Sequence, residues 1–206
     1  MVFSTVLGKI YNLNNGYRNV VTIDPLSATV ERVAPMAVSS NLLLSPCGRY
    51  LIGKGVDRTR DADHVIGRIS VMDAETGVMV STMDFQDVYP SVYRFNADGS
   101  RLYVTTAATG KGTQRDNINL TDVLVFDAGQ LPELCLTQRL AVGAADCGRR
   151  SLAFSPLAGR VFVPNPSDGT LTILDANNEL LETVRLSEAP AKEVNFSFWQ
   201  TPMYGG

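Results

Sequence analysis

The chain has 206 residues, a formal net charge of −3, 45% hydrophobic and 19% charged residues. That length and balance suit a chain that buries a sizeable core and are wrong for an intrinsically disordered one. Mild acidity with no basic run longer than Arg149-Arg150 argues against a binder of nucleic-acid phosphates, and no apolar stretch is long enough to span a membrane.

The chain opens on Val2-Phe3-Ser4-Thr5-Val6-Leu7-Gly8-Lys9-Ile10-Tyr11. No basic stretch precedes its apolar residues and no cleavage pattern follows, so it reads as strand, turn and strand rather than as a secretory leader. A second apolar run, Val20 to Asp24, ends in aspartate, and a further strand covers Thr29 to Val33. The same order then returns three times. Leu44 to Leu51, Phe95 to Val104 and Phe154 to Val163 repeat the glycine-turn hairpin. Ile69 to Asp73, Val123 to Asp127 and Leu171 to Asp175 repeat the strand ending in aspartate. Val78 to Met83, Leu134 to Leu140 and Leu181 to Leu186 repeat the last strand. β-branched and aromatic residues dominate these runs and turn residues punctuate them. Asp24, Asp73, Asp127 and Asp175 fall 49, 54 and 48 residues apart, and each opens a polar turn whose backbone N–H groups its carboxylate can accept. Ala34-Pro35, Tyr89-Pro90 and Ala189-Pro190 read as linkers between units, because proline lacks an N–H and fixes φ. Ser187 to Lys192 is the clearest helical competitor, but it is short and contains Pro190. Val194 to Trp199 reads as one more inner strand.

Four strands per unit at this period predict an all-β fold, a β-propeller of four four-stranded blades plus one extra inner strand. The blades run approximately over 1–36, 37–86, 87–143 and 144–188, with the extra strand at 193–199, in a single domain. The ring is either a small closed one or part of a larger propeller, built from several chains or from a longer protein. Tyr11, Tyr50, Tyr103 and Phe162 recur in the second strand of each unit, which points to packing between blades. The run Asp73-Ala74-Glu75-Thr76-Gly77-Val78 and the hairpin Phe95-Asn96-Ala97-Asp98-Gly99-Ser100-Arg101-Leu102-Tyr103-Val104 resemble the YVTN family of β-propeller repeats. The likeness extends over nearly the whole chain, and it implies the fold far more than a function. Trp199 is the only tryptophan and no Trp-Asp pair occurs, so the chain is less similar to WD40 repeats.

Two long connections between second and third strands, 55–67 and 107–122, belong to adjacent units and should share one face. Long loops on a rigid frame are where binding concentrates. Arg58, Arg60, Lys111 and Arg115 would supply positive contacts there, and Asp61, Asp63 and Asp116 negative ones, beside His64. Asp57, Asp61 and Asp63 are weak candidates for a hard cation, but their spacing is not that of an EF-hand, and Arg58 and Arg60 can neutralise them. A single histidine excludes a multi-histidine zinc site and weakens a Ser-His-Asp reading. Gly110-Lys111-Gly112-Thr113 lacks the phosphate-loop spacing, and no haem-attachment motif occurs, so neither a cofactor nor a metal is expected. Cys47, Cys135 and Cys147 show no paired spacing and read as reduced thiols that behave as small buried hydrophobes.

The expected function is a non-enzymatic scaffold that binds a protein partner, or further copies of itself, through the two-loop face. The alternatives are a structural subunit of a large assembly such as a phage virion or tail, and the activities that the YVTN resemblance implies, a lactonase or a propeller subunit of a quinone-dependent dehydrogenase. The expected location is the cytoplasm or an intracellularly assembled particle.

Overall fold

The computed structural model describes residues 1–37, 39–57, 59–107, 117–119, 121–143 and 150–186. They form a β-propeller array of four antiparallel sheets, each with its strands in chain order. The first sheet holds β1 (Val2–Ser4), β2 (Lys9–Asn14), β3 (Asn19–Asp24) and β4 (Thr29–Pro35). The second holds β5 (Asn41–Leu44), β6 (Tyr50–Asp57), β7 (Ile66–Asp73) and β8 (Met79–Gln86). The third holds β9 (Pro90–Phe95), β10 (Arg101–Thr106), β11 (Asp122–Asp127) and β12 (Cys135–Ala141). The fourth holds β13 (Ala153–Ser155), β14 (Arg160–Asn165), β15 (Thr170–Leu174) and β16 (Leu180–Arg185). The segments 187–192 and 194–199 lie outside the described residues, as does the Ala189-Pro190 linker.

The aspartates do what their position suggests. Asp24 Oδ1 accepts the N–H of Leu26 at 2.8 Å, Asp73 Oδ1 that of Thr76 at 2.7 Å, Asp127 Oδ1 that of Gly129 at 2.9 Å and Asp175 Oδ1 that of Asn177 at 2.8 Å. Each carboxylate thus closes the turn that feeds the outer strand. Pro35 and Pro90 lie at the tips of strands rather than in linkers. β4 and β9 are edge strands, where a missing N–H breaks no ladder.

Strand alternation gives each sheet two faces, and the sheets stack in chain order. Tyr11 and Val20 of the first sheet meet Leu42, Leu51 and Met72 of the second. Ile52, Ile69 and Val71 on the second sheet's other face meet Leu102, Leu124 and Phe126 of the third. Tyr103, Val123 and Val125 meet Val161, Val163 and Leu174 of the fourth. Counting along each hairpin places Ile52, not Tyr50, level with Tyr11, Tyr103 and Phe162. Tyr50 pairs with Asp73, as Arg101 pairs with Asp127. It still packs at the edge of the interface between the second and third sheets. A shift of two residues keeps a side chain on its face, so residue type alone hides it.

In every sheet the ladder between the third and fourth strands slips at one place, between Thr22 and Ile23, Val71 and Met72, Val125 and Phe126, or Ile173 and Leu174. The unmatched residues are Glu31, Val80, Thr137 and Leu181, all exposed. Cys47 and Cys135 are exposed free thiols, so the expectation of buried cysteines fails for both, and Cys147 lies outside the described residues. Among the described residues, no helix is long and apolar enough to cross a membrane.

Candidate functional site: the loop face of the second and third sheets

β6 and β7 are longer than their sequence suggests. They run to Asp57 and from Ile66, which leaves a shorter connection than the predicted 55–67. Gly55 and Gly67 lie within the strands. Gly67 has a structural reason: a Cβ there would sit 2.2 Å from the carbonyl oxygen of Val88 and 2.9 Å from Pro90 Cδ. The close approach lets the turn between β8 and β9 lie against the end of β7. Asp87 in that turn adopts a φ of 58°, and its N–H donates to Val65 O at 2.8 Å. Val65 is fully buried and anchors the connection.

The consequence is a polar cluster. His64 Nδ1–H donates to the Asp87 carboxylate, 2.8 Å from Oδ1 and 3.0 Å from Oδ2. This partner raises the His64 pKa above its ordinary 6.5, against a smaller opposing effect of desolvation. Asp61 Oδ1 accepts the N–H groups of Asp63 at 2.8 Å and His64 at 3.1 Å, and these bonds hold its carboxyl below the usual range. Asp57 Oδ1 accepts the N–H and hydroxyl of Thr59 at 3.0 and 2.9 Å, with the same effect. Asp57 and Asp61 therefore serve as turn-forming acceptors. Among the described residues no group of three or more metal-ligating side chains converges.

Arg60 does not neutralise those aspartates. Its Nη1 donates to Asp84 Oδ2 at 2.6 Å, beside a two-pronged pair in which Arg68 Nε and Nη2 lie 2.6 and 2.7 Å from the same carboxylate. Arg68 and Asp84 face each other directly across β7 and β8, and Arg68 holds the Asp84 carboxyl well below the usual range.

The two long connections meet, as their adjacency in sequence predicts. Asn117 Nδ2 donates to Asp63 O at 3.0 Å, and the Asn119 N–H donates to Asp87 O at 2.8 Å. Asn119 Oδ1 accepts the N–H groups of Thr121 and Asp122 and so shapes the entry to β11. Of the residues singled out from sequence, Arg60, Asp61, Asp63 and His64 share this face. Arg58, Lys111, Arg115 and Asp116 lie outside the described residues.

Arg150 carries no sequence signal and proves central to the frame. It is fully buried. Its guanidinium donates to Thr121 O at 2.9 Å, Val142 O at 2.5 Å, Asp122 O at 2.7 Å and Thr106 Oγ1 at 3.3 Å. Thr105 Oγ1 donates in turn to Arg150 O at 3.1 Å. One side chain thereby ties the roots of the 107–121 connection to the segment entering the fourth sheet. At the opposite end of the strands, a cleft of about 490 Å³ lies between the hairpins of the third and fourth sheets, lined by Asp98, Arg101, Tyr103, Arg160 and Asn177.

The geometry predicts a titration. The only histidine of the chain should titrate above 6.5, and Asp87→Asn should bring its midpoint down; proton NMR of the imidazole checks both. Because the folded-state pKa is raised, the contribution of this pair to stability is fully present below about 6.5, the unfolded value, and fades as pH rises through the folded one.

No family model matches the chain, and no curated protein matches it. Solved structures do. The chain superposes on the dihydro-heme d1 dehydrogenase NirN, in complex with DHE, with a TM-score of 0.66 at 17% identity, covering 90% of this chain and 37% of that one. It superposes on Kuenenia stuttgartiensis hydrazine synthase with a TM-score of 0.61 at 14% identity, covering 88% and 60%. It superposes on the Pseudomonas aeruginosa periplasmic gluconolactonase PpgL with a TM-score of 0.60 at 19% identity, covering 90% and 53%. At these identities the likeness is one of fold. The chain spans between about a third and three-fifths of the neighbours' lengths.

Proposed function

We propose that this chain is a non-enzymatic propeller scaffold of YVTN type that binds a protein partner through the loop face of its second and third sheets. The observation that carries this reading is the bond from Asn117 Nδ2 to Asp63 O, which joins two connections from different sheets into one surface. Arg60, Asp61, Asp63 and His64 give that surface mixed charge on a rigid base, as suits a polar, orientation-specific contact. The test is photo-crosslinking from position 63 in the native host, with position 157 on the opposite hairpin face as control. Adducts should form from 63 and not from 157, and replacing 59–63 by a two-glycine link should abolish the adducts formed from a second probe at the exposed Asn117, which the shortening leaves in place. Partners that survive this shortening unchanged would overturn the reading.

The second reading is enzymatic, and the His64–Asp87 pair favours it: a histidine whose ring is oriented by a carboxylate is a recurrent general base, and one of the similar structures is a gluconolactonase. Lactone hydrolysis by the purified chain that His64→Ala abolishes would establish it in place of the scaffold.

A further inference from the structure

The four sheets share one register, and the register exposes a vacancy in the stack. In the second sheet the row Leu44, Leu51, Met72, Met79 crosses all four strands on the face turned to the first sheet. The third sheet has Phe95, Leu102, Phe126, Leu136 in the equivalent row, turned to the second. The fourth has Phe154, Val161, Leu174, Leu180, of which Phe154, Val161 and Leu174 pack on the third. The first sheet carries the same row as Phe3, Ile10, Ile23, Val30. No sheet precedes it in the described residues, and Phe3 is 51% and Val30 59% exposed. Val33, in the next row of the same face, is 57% exposed.

The fourth sheet is the mirror case. Its forward face carries Phe162, Pro164, Leu171, Ile173 and Val184, at the positions by which the earlier sheets cover the next one. In the first three sheets the residue level with Phe162 (Tyr11, Ile52 or Tyr103) is buried; Phe162 itself remains partly exposed. The rear of the first sheet and the front of the fourth are thus the two halves of an interface that the chain already makes three times. Apolar faces of this kind seek cover, and a head-to-tail contact generates a ring when its rotation closes.

We infer that two copies of this chain associate head to tail, the front of each fourth sheet on the rear of the other's first sheet, and close an eight-sheet ring. Two is the smallest number of copies at which both faces of every chain are covered. The inference is independent of the loop-face proposal.

Light scattering on the purified chain tests it. The expected mass is twice the 22.3 kDa of the single chain. Val30→Asp and Val184→Asp, each on an outer strand, should each give monomers with unchanged circular dichroism, with Val33→Asp as a second variant of the first face. Mixing Val30→Asp with Val184→Asp should restore dimers of lower affinity, because one of the two contacts is then intact. A wild-type monomer at micromolar and higher concentrations overturns the inference, as does any other mass. A dimer that resists Val184→Asp also overturns it, since that is the mark of two first sheets packed back to back.

Discussion

Arg150→Met is expected to cost this fold on the order of 3 kcal/mol or more, read as a lowered midpoint of chemical unfolding at unchanged denaturant slope. The guanidinium has no solvent exposure and donates to three backbone carbonyls and one hydroxyl. Methionine fills comparable volume but donates nothing, so the oxygens of Thr121, Asp122 and Val142 lose their Arg150 donors in a buried setting. Thr121 O keeps the Val142 N–H and Asp122 O keeps the Thr106 hydroxyl, so what is lost is the hydrogen bonds to a charged donor, about 1.5–3 kcal/mol each. Arg150→Lys should not rescue the loss, because a single ammonium cannot reproduce a planar fork that reaches separate acceptors. The exposed Arg94 is the control: Arg94→Met should stay within about 0.5 kcal/mol of the parent.

Gly67→Ala should cost about 1–3 kcal/mol, and Gly67→Val more. The obstacle is a carbonyl oxygen and a proline ring rather than the end of a flexible side chain, so relief requires the β8–β9 turn to move as a body. That movement carries Asp87 away from His64. The variant should therefore show a second, local effect, a His64 titration midpoint that falls back toward about 6.5. Gly16→Ala, whose Cβ would meet nothing closer than 4.0 Å, should change neither quantity. A Gly67→Ala protein of parental stability and parental His64 titration would refute this account of the turn.

The repeat was plain in the sequence because its elements are local. An alternating apolar run, a glycine turn and an aspartate that caps its own turn each act within a few residues, so strand order and turn chemistry could be read directly. What escaped depended on distant partners. Gly55 and Gly67 look like loop punctuation, yet Gly67 is dictated by a carbonyl twenty-one positions on. Arg60 stands among aspartates in the chain but bonds to Asp84, which only the pairing of β7 with β8 brings near. Arg150 figures in the sequence only as half of a basic pair, and its role is set by the distant carbonyls of Thr121, Asp122 and Val142. Cys47 falls in a hairpin turn and Cys135 opens an edge strand, and neither position is enclosed. The convergence of the two long connections was legible from their places in adjacent units, whereas the share of Asp87 in the site was not, since it comes from a turn that carries no motif.

The slip repeated in every third-to-fourth ladder has a bearing on solubility. A flat outer strand offers its unpaired N–H and C=O groups to any other strand, which is how native sheets nucleate aggregates. An extra residue kinks the strand and increases its local twist, so the outer rim no longer presents a straight template. With Glu31, Val80, Thr137 or Leu181 bulged from each of β4, β8, β12 and β16, every blade carries its own guard against edge-to-edge growth.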